Sequence, residues 1–425
     1  MTSEERQIPE LTIYFLGLAF LIPALIYNID IIVNYINYIT DNVNLFIFRK
    51  RKKTTYKEKT KVALLTNEIP PIVYGGVATW IVNFIKMFEN DSEYDIIPVY
   101  LAFQDQPVEE FSKYKNLRII YNMGDIEHLF NDIDICINNI WINLEIIKDI
   151  KQQYPDLNII SVCHSLIQME HLTNQGSQYE ITWKDQEVTF EYSDFVVLIS
   201  NAERKYYNQF GYNKFRAKPV VIYNSYKPKY DNVVLDIDYS SDDPGFIGRH
   251  VPRKRPELPL LAVQNLNKKN VQIFNMGVDF KNGRNTYWEN LNKKNKILTI
   301  YPFTTDSKIK NKYWKNIGVN CITGIYEPFG YTICETLDRR VPCIVQNIDG
   351  PKEIISDFKD YVITYDVDID MKKDVDNFSK ALNQFWQKSK EERKLMAEKA
   401  RKSLDKFRPE NIKLDWINLF QLMSN

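Results

Sequence analysis

Two glutamates that are eight residues apart frame the segment best suited to chemistry. The segment reads YEPFGYTICE, and its acids are Glu327 and Glu335. Gly330 lies between them and precedes a pattern that predicts a helix over 331–338. Free N–H groups at a helix start attract phosphate oxygens, and a carboxylate placed below them can accept both hydroxyls of a ribose. The segment therefore favours binding of a nucleotide over a capped surface helix with unrelated glutamates.

Cations follow the predicted strand PGFI and Gly248. Arg249 and Lys254 are the two that fall at the carboxyl end of that strand. Two cations in this place can hold a diphosphate and stabilise it as it leaves. The surrounding run 249–255 holds five basic residues if His250 is counted, so a solvated basic loop is the alternative interpretation.

A glycine pair, Gly75 and Gly76, separates the first predicted strand from the first predicted helix of the globular part. Glycine lets the backbone come close to a phosphate or a sugar, and the helix start favours negative charge. A plain glycine turn explains the pair equally well.

Strand and helix patterns alternate from Lys61 onward, which predicts βαβ units and parallel sheets. The first half has predicted strands at 61–66, 95–102, 117–121, 134–138, 158–163, 194–199 and 219–223, with helices at 77–89, 142–153 and 200–210. The second half has predicted strands at 244–247, 271–275, 297–301, 319–322, 342–345 and 361–364, with helices at 256–265, 308–315, 331–338, 350–356, 374–387 and 389–405.

The fold class predicted from this alternation is α/β, with two Rossmann-like domains. The polar, unpatterned stretch Tyr226–Asp242 is the predicted hinge between them. We place the first domain at 59–230 and the second at 231–408. A last helix at 409–425 has a broadly apolar face and is expected to pack back on the first domain.

The segment 1–58 has a different character. Residues 11–27 carry no charge, a polar stripe then marks an amphipathic helix to about 48, and RKRKK follows. These features predict a membrane-associated segment, with spanning from about 11 to 30 and basic residues on anionic headgroups. The charge asymmetry places the larger C-terminal part in the cytosol. A helical hairpin packed on the soluble part is the alternative.

Composition excludes several classes of protein. Lys+Arg and Asp+Glu both number 55 among 425 residues, so no global basic field would attract nucleic acid. The five cysteines form no CxxC pair, which favours buried reduced thiols. The four histidines have no metal-ligand spacing. The acidic triplet Asp366, Asp368 and Asp370 is interpreted as a solvated loop, so neither a metal site nor a cofactor is predicted.

Five segments in order resemble glycosyltransferase family 4, whose members are retaining enzymes of the GT-B fold with two Rossmann-like domains facing a cleft. The resemblance covers roughly 61–401, and it implies that the domain at 59–230 is the acceptor-side domain and that the domain at 231–408 binds the nucleotide-sugar donor. The segments are NEIPPIVYGGVATWIV (67–82), DFVVLISNAERKYYNQFGY (194–212), FIGRHVPRK (246–254), YEPFGYTICE (326–335) and VPCIVQNIDGPKEII (341–355).

The resemblance implies a role for each matched position. Glu335 would bind ribose, and Glu327 would contact the donor sugar. His164 matches a place where such enzymes often carry a histidine near the reacting centre, with a core or capping histidine as the alternative. The implied catalytic residues are Glu327, His164, Arg249 and Lys254. The implied substrate-binding residues are Gly75, Gly76, Gly248, Arg249, Lys254, Glu327, Phe329, Gly330, Tyr331, Thr332 and Glu335.

The implied activity is metal-independent transfer of a hexose, with retention, from a nucleotide-diphosphate sugar to a glycan, lipid or protein-linked acceptor. A nucleotide-sugar epimerase of the same fold and a non-catalytic sugar-nucleotide-binding scaffold are the alternatives. The chain departs from the family pattern at Gly324, where a small hydroxyl residue is common, and at Arg340, where glycine is usual. Because arginine tolerates a positive φ poorly, the loop before Val341 is expected to differ.

Overall fold

A computed structural model describes residues 59–70, 75–102, 114–140, 145–174, 183–233, 235–268, 271–277, 297–302, 304 and 306–423. The predicted membrane-associated segment lies outside these ranges. Among the described residues, no helix has the length and apolar character needed to cross a bilayer.

The first sheet is parallel and contains seven described strands. Their order is β3-β2-β1-β4-β5-β6-β7. The strands are Thr60–Thr66 (β1), Tyr94–Leu101 (β2), Arg118–Ile120 (β3), Ile135–Asn138 (β4), Asn158–Cys163 (β5), Phe195–Leu198 (β6) and Lys218–Val221 (β7). The accompanying helices are Gly76–Phe88 (α1), Ile126–Leu129 (α2), Ile146–Gln153 (α3), Ile167–Thr173 (α4), Trp183–Tyr192 (α5) and Asn201–Gln209 (α6).

The second sheet is also parallel, with six described strands in the order β10-β9-β8-β11-β12-β13. The strands are Pro244–Ile247 (β8), Ile273–Gly277 (β9), Leu298–Pro302 (β10), Val319–Ile322 (β11), Cys343–Gln346 (β12) and Ile363–Tyr365 (β13). The helices are Leu258–Asn265 (α7), Ser307–Asn316 (α8), Tyr331–Asp338 (α9), Asp349–Ile355 (α10), Met371–Trp386 (α11), Lys390–Ala400 (α12) and Pro409–Met423 (α13).

The central strands are apolar on both faces, because helices cover each face of a parallel sheet. In β1, Val62, Ala63, Leu64 and Leu65 are all fully buried. Val62 stands in register with Ile96 of β2 on one side and with Ile135 of β4 on the other. This continuous apolar run explains why β1 was predictable from the sequence alone.

The predicted alternation is confirmed, and both halves are Rossmann-like. The predicted helix 389–405 is α-helical only to Ala400 and continues as a 3-10 helix, Arg401–Phe407. The predictions missed α2, α4 and α5. Helix α4 buries no side chain fully, so its sequence lacks the apolar stripe on which such predictions depend.

Helix α13 lies against the first helix of the chain's globular part. The Trp416 ring stands edge-on to Phe84, with centroids 5.0 Å apart, and to Trp80 at 5.8 Å. Trp416, Ile412, Leu419 and Phe420 are its buried residues, and they form the face that the sequence indicated. The predicted domain boundaries themselves stay predictions.

Candidate functional site

In each sheet, the direction in which successive strands are added reverses at one place. Going outward from β1, the chain runs through β2 and β3 on one side and β4 to β7 on the other; β8 divides the second sheet in the same way. Ligands of open α/β sheets bind beyond the carboxyl ends of the strands at such a switch point. The predicted site residues fall here. Gly75 and Gly76 follow β1, Arg249 and Lys254 follow β8, and the YEPFG segment follows β11.

The structure brings Lys254 and Glu327 together as an ion pair, Nζ to Oε2. The loops that carry them are joined by backbone and side-chain hydrogen bonds. Ile325 N donates to Arg253 O at 2.8 Å, and Thr323 Oγ1 donates to Lys254 O at 2.7 Å. The positions implied for the diphosphate and for the donor sugar are therefore adjacent.

The charge around Lys254 is predominantly positive. Burial lowers the pKa of the Lys254 ammonium well below its ordinary value, and the Arg253 and Arg249 guanidiniums lower it further, while Glu170 opposes them. Where neighbouring positive charges lower the pKa of a lysine, a bound anion stabilises the charged form of that lysine. Among the described residues, the Arg249 guanidinium has no hydrogen-bond or ion-pair partner, so it is available to such an anion.

Helix α9 starts at this cluster. Gly330 is its N-cap with φ +112°, a conformation that glycine adopts without strain, and it turns the N–H groups of Tyr331 and Thr332 toward the helix start. Phe329 is buried and packs on Phe407, with ring centroids 5.3 Å apart. The free amides of Tyr331 and Thr332 follow Glu327 in the chain by four and five residues.

Gly350 packs closely against the same loop. A Cβ on Gly350 would stand 2.4 Å from Pro328 O and 2.5 Å from Phe329 Cα. Only glycine lets α10 approach the YEPFG backbone this closely. The preceding Asp349 has φ +51°, accepts a hydrogen bond from Tyr206 Oη at 2.7 Å, and has its pKa raised by burial to about 6.

Glu335 is half-buried on the second turn of α9. Within the described part of the chain, its carboxylate has no hydrogen-bond or ion-pair partner. Its backbone oxygen is occupied by Arg339 Nη1 at 2.9 Å. A carboxylate without a partner near a helix start fits the predicted role as a ligand of ribose hydroxyls.

Arg340 keeps the backbone shape that glycine usually provides. Its φ is +57°, Val341 N donates to Thr336 O at 3.2 Å, and Arg340 N donates to Leu337 O at 3.0 Å, as in a Schellman C-cap. Arg340 Nη1 also donates to Tyr230 O at 3.0 Å. The expectation of a different loop is wrong at this position, because side-chain hydrogen bonds help hold the strained conformation.

Gly324 is the second departure from the family pattern. A Cβ there would meet Arg253 O at 3.3 Å and Gln346 Nε2 at 3.4 Å, so the close packing leaves little room for a larger side chain.

Around His164, the carboxyl edge of the first sheet is neutral. His164 Nε2 is 2.8 Å from Asn139 Oδ1, and burial lowers the pKa of His164 to about 3. The imidazole is therefore uncharged at physiological pH. A Cβ on Gly76 would meet nothing within 4 Å, while one on Gly75 would lie 3.1 Å from Glu68 Oε2. His164 and Asn139 end neighbouring strands, β5 and β4, so this edge offers a neutral hydrogen-bonding surface.

Sequence reasoning missed the residues that join the two edges. Arg253 was counted only as part of a basic run, yet its guanidinium binds Glu170 of α4 at 3.0 and 2.9 Å. Glu353 of α10 accepts from the N–H groups of Asn201 and Ala202, at 3.0 and 2.7 Å, at the start of α6. These partners are far apart in sequence, and a single sequence gives no signal for such pairs.

The acidic triplet caps a helix. Asp370 Oδ1 accepts from Lys372 N at 2.9 Å at the start of α11, and Asp368 Oδ1 accepts from Asp370 N. Within the described ranges, no group of His, Cys, Asp and Glu side chains is arranged to hold a metal ion. The five cysteines are buried free thiols, as predicted.

The comparisons with known proteins agree with this geometry. Residues 241–403 match the family model described as glycosyl transferases group 1. The second half of the chain thus matches the predicted class of protein, the group 1 glycosyltransferases, while family 4 itself stays a prediction. No curated protein sequence matches the chain.

Solved structures establish the fold of both halves. Sucrose-phosphate synthase from Thermosynechococcus elongatus superposes with a TM-score of 0.71 at 14% identity, over 86% of this chain and 99% of that one. HepE of Anabaena, in complex with UDP and glucose, gives 0.65 at 13% identity, over 85% and 100%. The catalytic domain of starch synthase IV from Arabidopsis thaliana, bound to ADP and acarbose, gives 0.61 at 13% identity, over 87% and 100%. The predicted GT-B fold is confirmed.

Proposed function

We propose that the protein transfers a sugar from a nucleotide-diphosphate sugar to an acceptor, with retention of configuration. One observation carries the proposal. The Lys254–Glu327 ion pair, Arg249 and the start of α9 meet at the switch point of the second sheet, and Glu335 stands near with its carboxylate unpartnered. This arrangement offers cations for a diphosphate, free amides for its oxygens and an acceptor for ribose.

The chemistry of transfer follows from charge. When the bond between the sugar and the diphosphate breaks, negative charge grows on the departing oxygen. Arg249, Lys254 and the α9 N–H groups counter that charge, and such preorganised stabilisation supplies a large part of the rate in enzymes. In front-face attack the leaving diphosphate itself takes the acceptor's proton. On this proposal no metal is needed, because the cations already balance the diphosphate.

His164 contributes from the opposite edge. Because its pKa is lowered to about 3 by burial, the imidazole stays neutral and acts as a hydrogen-bonding group rather than as a cation. We propose that it contacts a sugar hydroxyl near the reacting centre. The acceptor would be a glycan or a lipid- or protein-linked sugar.

Two of the similar structures support a nucleoside diphosphate as the common ligand. HepE is described with UDP and glucose, and starch synthase IV with ADP and acarbose. Uridine and adenosine donors are therefore the first to test with this protein.

A panel experiment tests the proposal. The full chain in detergent is incubated with UDP-, ADP- and GDP-sugars and with solubilised glycan and lipid-linked acceptors. Acceptor-dependent release of nucleoside diphosphate supports transfer, an interconverted donor supports an epimerase, and binding without turnover supports a scaffold. Lys254→Ala should lower the release about 100- to 1,000-fold. Lys388→Ala should leave it unchanged, because Lys388 only forms a surface pair with Glu392. NMR of the first-formed product decides between retention and inversion.

We further propose that residues 1–58 associate with a membrane and that the two domains face the cytosol. The uncharged run 11–27 and the basic cluster 49–53 support this location. Deleting residues 1–55 should release the protein from membranes into the soluble fraction. A full-length protein that stays soluble without detergent would contradict the proposal.

A further inference from the structure

Tyr326, the residue before Glu327, reaches out of its own domain. Its side chain is fully buried, and its hydroxyl donates to Glu203 Oε2 of α6 at 3.0 Å. The same hydroxyl accepts from Leu166 N at 3.0 Å, and Ser165 Oγ lies 3.2 Å away. Each of these partners belongs to the first half of the chain, so one phenol joins the YEPFG segment to the loop after β5 and to α6.

The partners of this phenol lie beside the proposed reactive residues. Ser165 and Leu166 follow His164 directly, just as Glu327 follows Tyr326. Successive Cα atoms are about 3.8 Å apart, so a contact at residue 326 limits where residue 327 can lie. The bond from Leu166 N to the phenol thus fixes the backbone of His164 relative to that of Glu327.

A second contact restrains the same backbone. Arg253 Nη1 donates to Tyr326 O at 3.0 Å, while the rest of the guanidinium binds Glu170 through two nearly parallel contacts. Bidentate pairs of this kind fix geometry as well as adding energy. Tyr326 is therefore held at its carbonyl by Arg253 and at its hydroxyl by Leu166 and Glu203.

We infer that Tyr326 is a positioning residue, with Glu203 as its anchor, and that it sets the distance between the neutral edge that holds His164 and the charged edge that holds Glu327. The inference rests on the proposed transfer reaction, which needs donor and acceptor atoms at attack distance. A displacement of about 1 Å can lower a rate on the order of 100-fold even when ligands still bind. The proposed nucleotide contacts of Arg249, Lys254 and Glu335 lie in the second half of the chain, so they do not depend directly on the phenol.

The test compares two buried tyrosines that are changed in the same way. Tyr326→Phe removes the joining hydroxyl, whereas Tyr207→Phe removes a buried hydroxyl of α6 that has no hydrogen-bond partner among the described residues. We expect Tyr326→Phe to lower kcat on the order of 10- to 100-fold with the Kd for UDP, or for ADP if only that nucleotide binds, within about twofold of wild type. Tyr207→Phe should keep both values. An unchanged kcat, or a loss of nucleotide affinity equal to the loss of kcat, overturns the inference.

Variants of Glu203 supply a rescue control. Glu203→Gln keeps an oxygen that can accept from the phenol and should retain most of the turnover. Glu203→Leu removes that oxygen and should resemble Tyr326→Phe, and the double variant should lose little more than either single variant. Additive losses would show that the two residues act separately.

A readout without turnover separates this inference from the proposed function. Leu166 N also donates to Glu203 Oε2 at 3.2 Å, and Tyr326→Phe leaves it only this longer bond. Hydrogen exchange at the Leu166 amide should therefore accelerate in Tyr326→Phe and stay slow in Tyr207→Phe, whatever the protein catalyses. If wild type turns over no nucleotide sugar, the proposed function fails. The hydrogen-exchange comparison still tests whether Tyr326 bonds to the Leu166 amide. Equal exchange in the two variants overturns the contact, and the positioning role with it.

Discussion

The two sheets have the same strand order, but the residues that follow the strands at their carboxyl edges differ in charge. After β8 and β11 the chain places Arg249, Lys254 and Glu327, and burial together with neighbouring guanidiniums lowers the pKa of Lys254. After β4 and β5 it places Asn139 and a histidine whose pKa is about 3. One edge therefore concentrates charge and the other offers neutral hydrogen bonds.

On the proposed function, two sheets of the same topology contribute different groups to one site. Topology brings the switch points of both sheets to the carboxyl ends of the strands, whatever the loop sequences are. The loops then decide the ligand. On the proposed function, the second edge provides the countercharge and free N–H groups that hold a diphosphate, while the first edge provides neutral groups that can hydrogen-bond a sugar hydroxyl.

The largest expected effect separates the charged edge from the neutral one. Lys254→Ala removes a cation from the leaving group and leaves Glu327 without its partner. We expect kcat for transfer to fall about 100- to 1,000-fold. His164→Asn, on the neutral edge, keeps a hydrogen-bonding group and should cost roughly tenfold. Steady-state kinetics with the identified donor measure both, and equal losses would contradict the proposed division of roles.

A comparison of glycines sharpens the contrast through stability. Gly350→Ala would force a Cβ against Pro328 and Phe329, so the free energy of unfolding should fall by about 1–3 kcal/mol. Gly76→Ala meets nothing within 4 Å and starts a helix, so stability should change by less than about 0.5 kcal/mol. Urea unfolding of both variants measures the difference. A Gly350→Ala protein as stable as wild type would show that the loop can move away from α10.

Nucleotide affinity tests the charged edge alone. Glu335→Ala removes the proposed acceptor of ribose hydroxyls, and the Kd for the nucleoside diphosphate should rise roughly tenfold, about 1.4 kcal/mol. Glu410→Ala, on the exposed first turn of α13, is the matched control and should leave the Kd unchanged. Titration calorimetry gives both constants. Equal affinities in the two variants would remove Glu335 from the site.

The last comparison concerns a pH dependence at the junction of the two edges. Burial raises the pKa of Glu203 from 4.5 to about 8, the hydrogen bond from Tyr326 partly opposes this, and the carboxylates of Asp349 and Glu170 also face it. Between these values the folded protein keeps a proton that the unfolded chain has lost. The stability contributed at low pH is therefore lost as pH rises from about 5 to 8.

Glu203→Gln should flatten this decline, by at most about 1.4 kcal/mol per pH unit. Unfolding free energies at pH 5.5 and 7.5 for wild type and variant measure the change. Parallel curves for the two proteins would show that Glu203 does not titrate in this range.

The sequence by itself determined the strands, most helices and the identity of the charged edge. Buried parallel strands are continuous apolar runs in the sequence, as in β1. The segment YEPFGYTICE, with its two glutamates, is a local pattern of ten residues. Local patterns can be recognised because the interacting groups are close along the chain. Arg340 was singled out by the resemblance to the family, which usually has glycine at this helix end, where a positive φ is common.

Only the tertiary structure decided how the two edges meet. The bond of Tyr326 with Glu203 spans 123 residues, and the pair of Arg253 with Glu170 spans 83. A buried hydroxyl or guanidinium must find a partner, but many side chains in the sequence could serve, and burial selects among them only after both sheets are in place. The charge state of His164 was undecided for the same reason, because its pKa depends on how much water the folded chain excludes.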